Sequence, residues 1–179
     1  MGGVDKGLQT LAGRALVEHV IERLRRQVDE VLVNANQNIE RYAEFGCRVF
    51  PDSVDGFAGP LAGLHAGLSA ASNPLVVTVP CDSPFLPSDL VARLRAALED
   101  AGAEVAVART FDQPHPVFAL VDRSVLPGLT RFLAAGGRKI DAWYADLRVV
   151  EVAFDDEAAA FANINTRDEL ARFEEDTQR

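Results

Sequence analysis

Asp82 is the residue best placed to do chemistry. It follows Leu75-Val76-Val77-Thr78-Val79, an apolar run broken by one Thr, and it sits between Pro80 and Pro84. A carboxylate fixed at a strand tip suits Mg²⁺, which takes one or two carboxylates and completes its shell with substrate phosphates. A turn cap ahead of Ser88 would use the same residue type. Met1-Gly2-Gly3-Val4-Asp5-Lys6 combines glycines, which let backbone N–H groups approach an anion, with a lysine that offers phosphate a point charge. A frayed start with a solvated lysine is the plainer reading of that segment.

Asn34 and Asp52 also close short apolar runs. One carboxylate can accept both adjacent donors of guanine, and an asparagine can serve donor and acceptor sites. Both residue types also build turns, so a base pocket and two turns stay open. Gly59-Pro60-Leu61-Ala62-Gly63 opens a helix whose small residues allow close backbone approach, to a ligand or to a neighbouring element. His115, between Pro114 and Pro116, is a lone imidazole, and Asn163 and Asn165 read equally well as helix-start caps.

The elements that would position these groups alternate. Leu16, Val17, Val20, Ile21, Leu24 and Val28 recur at helical spacing. Residues 30–34, 48–50, 75–79, 104–108, 117–120 and 148–154 read as strands. Helices are expected at 39–45, 61–71, 89–99 behind a Ser88 cap, 126–134 and 140–147, with a capping box at Thr166 before a last helix. Such alternation predicts a three-layer α/β/α, Rossmann-like fold with a mostly parallel sheet. Ligands of such sheets bind at the carboxyl ends of the strands, where Asn34, Asp52 and Asp82 fall.

The 179 residues suit one domain, 1–179, and 48% hydrophobic with 25% charged residues is an ordinary globular balance. The net charge of −9 argues against a nucleic-acid binder. Cys47 and Cys81 lack metal-site spacing, and no apolar run approaches membrane-spanning length, so no membrane role and a cytoplasmic setting are expected.

Taken in order, Met1-Gly-Gly-Val-Asp-Lys6-Gly7, Val33-Asn34-Ala35-Asn36, Asp52, Gly59-Pro-Leu-Ala-Gly63, Pro80-Cys-Asp82-Ser-Pro84, His115-Pro116 and Asn163-Ile-Asn165-Thr166 resemble the molybdenum cofactor guanylyltransferases. The resemblance implies a nucleotidyltransferase that joins GMP from GTP to molybdopterin cofactor and releases pyrophosphate. It implies Mg²⁺ on Asp82, catalytic roles for Lys6 and Asp82, and GTP contacts from Gly2, Gly3, Lys6, Asn34, Asp52, Gly59, Pro60 and Asp82. His115, Asn163 and Asn165 would face the pterin. Molybdoenzyme chaperones or upstream cofactor-synthesis proteins are implied partners.

One departure stands out: the family's first strand, first glycine pair and loop arginine, roughly 15 residues, have no counterpart here. The expectation is that Met1 is internal to a longer protein, and that the strands flanking the missing one lack partners. A nucleotidyltransferase using CTP or a sugar phosphate, and a non-catalytic nucleotide-binding protein, are the alternatives.

Overall fold

The computed structural model describes residues 5–53 and 59–161. Gly2, Gly3, Asn163, Asn165 and the expected last helix lie outside them. A 3-10 turn at Lys6–Leu8 leads into a hairpin of β1 (Thr10–Leu11) and β2 (Arg14–Ala15). Then follow α1 (Leu16–Arg25), β3 (Leu32–Asn34), α2 (Ile39–Ala43), β4 (Arg48–Phe50), α3 (Pro60–Ala70) and β5 (Leu75–Thr78). The second half holds α4 (Leu90–Ala101), β6 (Val105–Thr110), β7 (Gln113–Asp122), α5 (Leu126–Ala134), α6 (Ile140–Tyr144) and β8 (Val149–Ala153).

The sequence pattern explains the three layers. β6 is buried on both faces, and its residues alternate between two cores. Ala106 and Ala108 pack with Val20 and Leu24 of α1 and with Leu90, Leu94 and Leu98 of α4. Val105 and Val107 pack with Leu61, Leu64 and Leu68 of α3 and with Leu129 and Leu133 of α5. One pair of helices therefore covers each face of the sheet, as the period-2 side-chain alternation of a strand requires. No helix among the described residues is long and apolar enough to cross a membrane.

Strand directions agree with the mostly parallel expectation, with β7 reversed against its neighbours. β3 pairs with β4, and β6 with β8, in parallel. β7 runs antiparallel to both β5 and β6. The cause is a tight turn at Phe111-Asp112, with Phe111 at φ 51°, which folds β7 straight back from Thr110. β7 also starts at Gln113 rather than at Val117, because Pro114 and Pro116 are tolerated beyond the bulge between Val107 and Ala108. Ser88 does not cap α4: Asp89 precedes the helix, which closes on Gly102 in the left-handed conformation at φ 57°.

The sheet is in two pieces. Among the described residues, β3–β4 forms one ladder and β5–β7–β6–β8 another, with no ladder joining β3 to β5. At the far edge, the Arg93 guanidinium lies 3.9 Å over the Phe154 ring and binds both carboxylate oxygens of Asp156 at 3.0 Å. It also donates to the Ala153 carbonyl, so α4 holds the end of β8.

Candidate active site

Asp82 follows β5 and is 8% exposed. Lys6, in the 3-10 turn, brings its Nζ to 3.7 Å from Asp82 Oδ2. The two residues are 76 positions apart in the chain, so this meeting is a tertiary feature. Burial holds the turn in place. Gly7 packs so tightly that a Cβ there would lie 2.5 Å from Tyr42 Oη and 3.0 Å from Cys81 Sγ. Asp5 adds a second tie, its carboxylate accepting from Tyr42 Oη at 2.6 Å and from Asn38 Nδ2 at 3.0 Å. Asn38 is left-handed, at φ 52°, which aims the start of α2 at this turn.

Burial shapes the protonation states here. Desolvation first, then the Asp5 hydrogen bond, pushes the Tyr42 phenol well above its usual range. Desolvation, with the charge of Asp82 behind it, pushes the Cys81 thiol up to about 11. Both groups stay neutral at physiological pH and donate or pack rather than react.

The second half of the site lies at the carboxyl ends of β3 and β4. Asn34 Nδ2 donates to Asp52 Oδ1 at 3.0 Å and to the Phe50 carbonyl at 3.3 Å. Asn36 Nδ2 donates to Asp52 Oδ2 at 2.9 Å, while the Asp52 N–H donates to Asn36 Oδ1 at 2.8 Å. The Asp52 carboxylate is thus held at both oxygens, yet each keeps a lone pair for a ligand, because a carboxylate offers about four acceptor sites. Gly63 permits the arrangement: a Cβ there would sit 2.7 Å from Asn34 Oδ1. Gly59 and Pro60 open α3 beside this cluster, with Gly59 at φ 138°.

Ser53 continues the chain of bonds. Thr130 Oγ1 donates to the Leu126 carbonyl, so it accepts from His65 Nε2 at 2.9 Å, and His65 Nδ1 accepts from Ser53 Oγ at 3.1 Å. That relay pins the residue after Asp52 to α3 and α5. Asn36, Ser53 and His65 were not singled out as site residues from sequence. The spacing Asn34-x-Asn36 carried the signal for Asn36, since alternate residues of an extended segment share a face.

His115 belongs to the same end of the sheet, because the β5–β7 register places Thr78 opposite Ala119. Its Nε2 lies 2.7 Å from Thr110 Oγ1, and its ring stacks on Phe161 at 5.0 Å. Desolvation holds its pKa below the usual imidazole range. Among the described residues no three His, Cys, Asp or Glu side chains cluster, so a cation at Asp82 would draw its other ligands from phosphates and water.

The chain that carries this arrangement, a cation–carboxylate pair at one strand end and an amide-braced carboxylate at the neighbouring end, is similar to known proteins. Residues 1–149 match the family described as MobA-like NTP transferase domain. Molybdenum cofactor guanylyltransferase of Cupriavidus taiwanensis is 54% identical over 97% of this chain and 89% of its own length. The protein of that name from Ralstonia nicotianae is 51% identical over 98% and 90%. The crystal structure of molybdopterin-guanine dinucleotide biosynthesis protein A from Archaeoglobus fulgidus superposes with TM-score 0.81 at 28% identity, covering 98% of this chain and 92% of that one. A 2-C-methyl-D-erythritol 4-phosphate cytidylyltransferase from Thermus thermophilus, 20% identical with TM-score 0.74 over 97% and 94%, shares the fold. This chain belongs to the MobA-like NTP transferase family.

Proposed function

We propose that the protein is a molybdenum cofactor guanylyltransferase: it transfers GMP from GTP to molybdopterin cofactor and releases pyrophosphate. The observation that carries this reading is the Lys6–Asp82 pair at the end of β5, combined with the Asn34–Asp52–Asn36 cluster at the end of β3 and β4. The identity with proteins of that name supports the substrates.

In this reading a terminal phosphate oxygen of molybdopterin forms a bond to the α-phosphorus of GTP. The bond from that phosphorus to the bridging oxygen of pyrophosphate breaks in line. Such transfers depend on positioning and charge compensation more than on a protein nucleophile. Lys6 neutralises charge that grows on the departing phosphates, and Gly2 and Gly3 add backbone N–H groups to the same anion. Asp52 accepts the two donors of the guanine edge, and Asn34 with Asn36 holds it for that task. Gly59 and Pro60 let α3 approach the nucleotide.

Asp82 fits a divalent ion, Mg²⁺ in our reading, since it supplies one fixed carboxylate and leaves the remaining positions to phosphate oxygens. When bound, such an ion would supply Lewis-acid polarisation of the phosphate, held by the Asp82 carboxylate. His115, Asn163 and Asn165 complete the pterin side, in one nucleotidyltransferase domain working in the cytoplasm. Docking of molybdoenzyme chaperones belongs to the same proposal.

The test is pyrophosphate release with Mg²⁺, molybdopterin cofactor and each of GTP, CTP and UTP. Release confined to GTP supports the reading. Faster turnover of CTP overturns the base assignment, and nucleotide binding without turnover turns the chain into a non-catalytic binder.

A further inference from the structure

His65 stands out among the buried residues of α3, which are otherwise Leu61, Ala62, Leu64, Ala66 and Leu68. It is 9% exposed. A leucine would pack at such a position without needing any hydrogen bond, whereas a buried imidazole is costly unless its nitrogens find partners. Both do. Nε2 donates to Thr130 Oγ1 at 2.9 Å, and Nδ1 accepts from Ser53 Oγ at 3.1 Å. The first bond fixes the tautomer, because the Thr130 hydroxyl hydrogen is already given to the Leu126 carbonyl. The ring therefore turns its one acceptor toward the residue that follows Asp52.

The two ends of this relay differ in their surroundings. Thr130 belongs to α5, and α3 packs on α5 through Leu61, Leu64 and Leu68 against Leu129 and Leu133. Ser53 is exposed, just past the end of β4. Asn34 and Asn36 hold the Asp52 carboxylate from the end of β3. The Ser53–His65 bond adds a tie from the helix layer. Gly63, two residues earlier on α3, lies against Asn34 Oδ1, so the same helix braces both sides of the cluster.

We propose that His65 is a positioning residue for the base site: it holds the Asp52–Ser53 corner in its ligand-ready arrangement and so sets nucleotide affinity. The inference rests on the guanylyltransferase reading for the identity of the ligand, GTP, and on these hydrogen bonds for the rest. A corner that is ordered before binding loses no further freedom when the ligand arrives, and the ligand binds more tightly for it.

The test compares the unmodified chain with Ser53→Ala, His65→Gln and His65→Asn. Ser53 is exposed, so its alanine variant folds. Gln puts its amide nitrogen near Nε2, keeping the Thr130 bond and losing the Ser53 one. Asn puts its carbonyl oxygen near Nδ1 and keeps the Ser53 bond. Amide exchange of the Asp52 N–H, which donates to Asn36 Oδ1 at 2.8 Å, reads the corner in the ligand-free protein by NMR. Calorimetry with GTP, CTP and UTP in Mg²⁺ reads affinity.

Ser53→Ala and His65→Gln should each speed Asp52 exchange and raise the Kd for GTP about 3- to 10-fold, the range of one neutral hydrogen bond. The Ser53→Ala/His65→Gln double variant should go no further, since both remove the same bond. His65→Asn should stay within about twofold of the unmodified chain. A histidine with a merely structural role would lower Tm in both His65 variants and leave Asp52 exchange and Kd unmoved. That result overturns the proposal, and so does an additive double variant. Failure of the guanylyltransferase reading looks different: the unmodified chain then prefers CTP or UTP, or binds none of the three. Asp52 exchange still decides in that case whether His65 holds the corner.

Discussion

Lys6 Nζ stands 3.7 Å from Asp82 Oδ2, the lysine half exposed and the aspartate nearly buried. In the proposed function the pair brings the charge for a phosphate and the ligand for a cation to one point. Asp82→Asn keeps shape and removes charge, so kcat for GMP transfer should fall about 10²- to 10³-fold while the fold persists, by analogy with other losses of transition-state stabilisation. Pyrophosphate release at saturating Mg²⁺ reads this directly. A variant within twofold of the unmodified protein would remove Asp82 from the mechanism.

Asp52 should set base choice. In the proposed function Asp52 accepts from the guanine amino group, so with Asp52→Asn the ratio of kcat/KM for GTP over ITP should drop about 10- to 100-fold. Asn36 acts only through Asp52, bracing its Oδ2. Asn36→Ala should therefore lower the same ratio by a smaller factor, and Asn36→Asp, which cannot donate to a carboxylate, should not restore it. Unchanged discrimination in both would show that the cluster is a turn and nothing more.

Gly7 and Tyr42 should behave as a coupled pair. Gly7→Ala places a methyl group 2.5 Å from Tyr42 Oη and should lower Tm by about 2–8 °C, as overpacking does. Tyr42→Phe removes the obstructing oxygen but leaves Asp5 without its 2.6 Å donor. The double variant should be more stable than the sum of the two single losses allows, which a thermal double-mutant cycle detects. Strict additivity would mean that the 3-10 turn moves away instead.

Alkaline stability should follow Cys81. Its folded pKa, about 11, lies above the ordinary thiol value of 9.0, so the unfolded chain ionises first. The thiol's contribution is intact below pH 9 and is lost as pH rises toward 11, at no more than ~1.4 kcal/mol per pH unit. Cys81→Ala should flatten the urea-unfolding free energy between those limits. An equally steep decline in the variant would assign the effect to other groups.

The sequence exposed the layers well because the helices repeat at 3.6 residues and β5 is apolar but for Thr78. It also placed Asn34, Asp52 and Asp82 at strand ends, where they are found. It did not show the β1–β2 hairpin, since two-residue strands carry no period to read. β7 was shortened because prolines normally end strands, and its direction was lost with the Phe111-Asp112 turn. Asn36 escaped because its role depends on a partner sixteen residues away. The His65 relay escaped for the same reason, being built from α3, α5 and a loop.

Pairing Lys6 with Asp82 also has a long-range effect. A lysine already compensated by its neighbour projects little field into solvent, and the molecule as a whole carries −9. A polyanionic substrate therefore approaches uphill until the last few ångströms. Association should quicken, not slow, as ionic strength rises from about 10 to 150 mM and the Debye length shrinks from roughly 30 to 8 Å. Most phosphate-binding proteins, with basic clefts, show the opposite salt dependence.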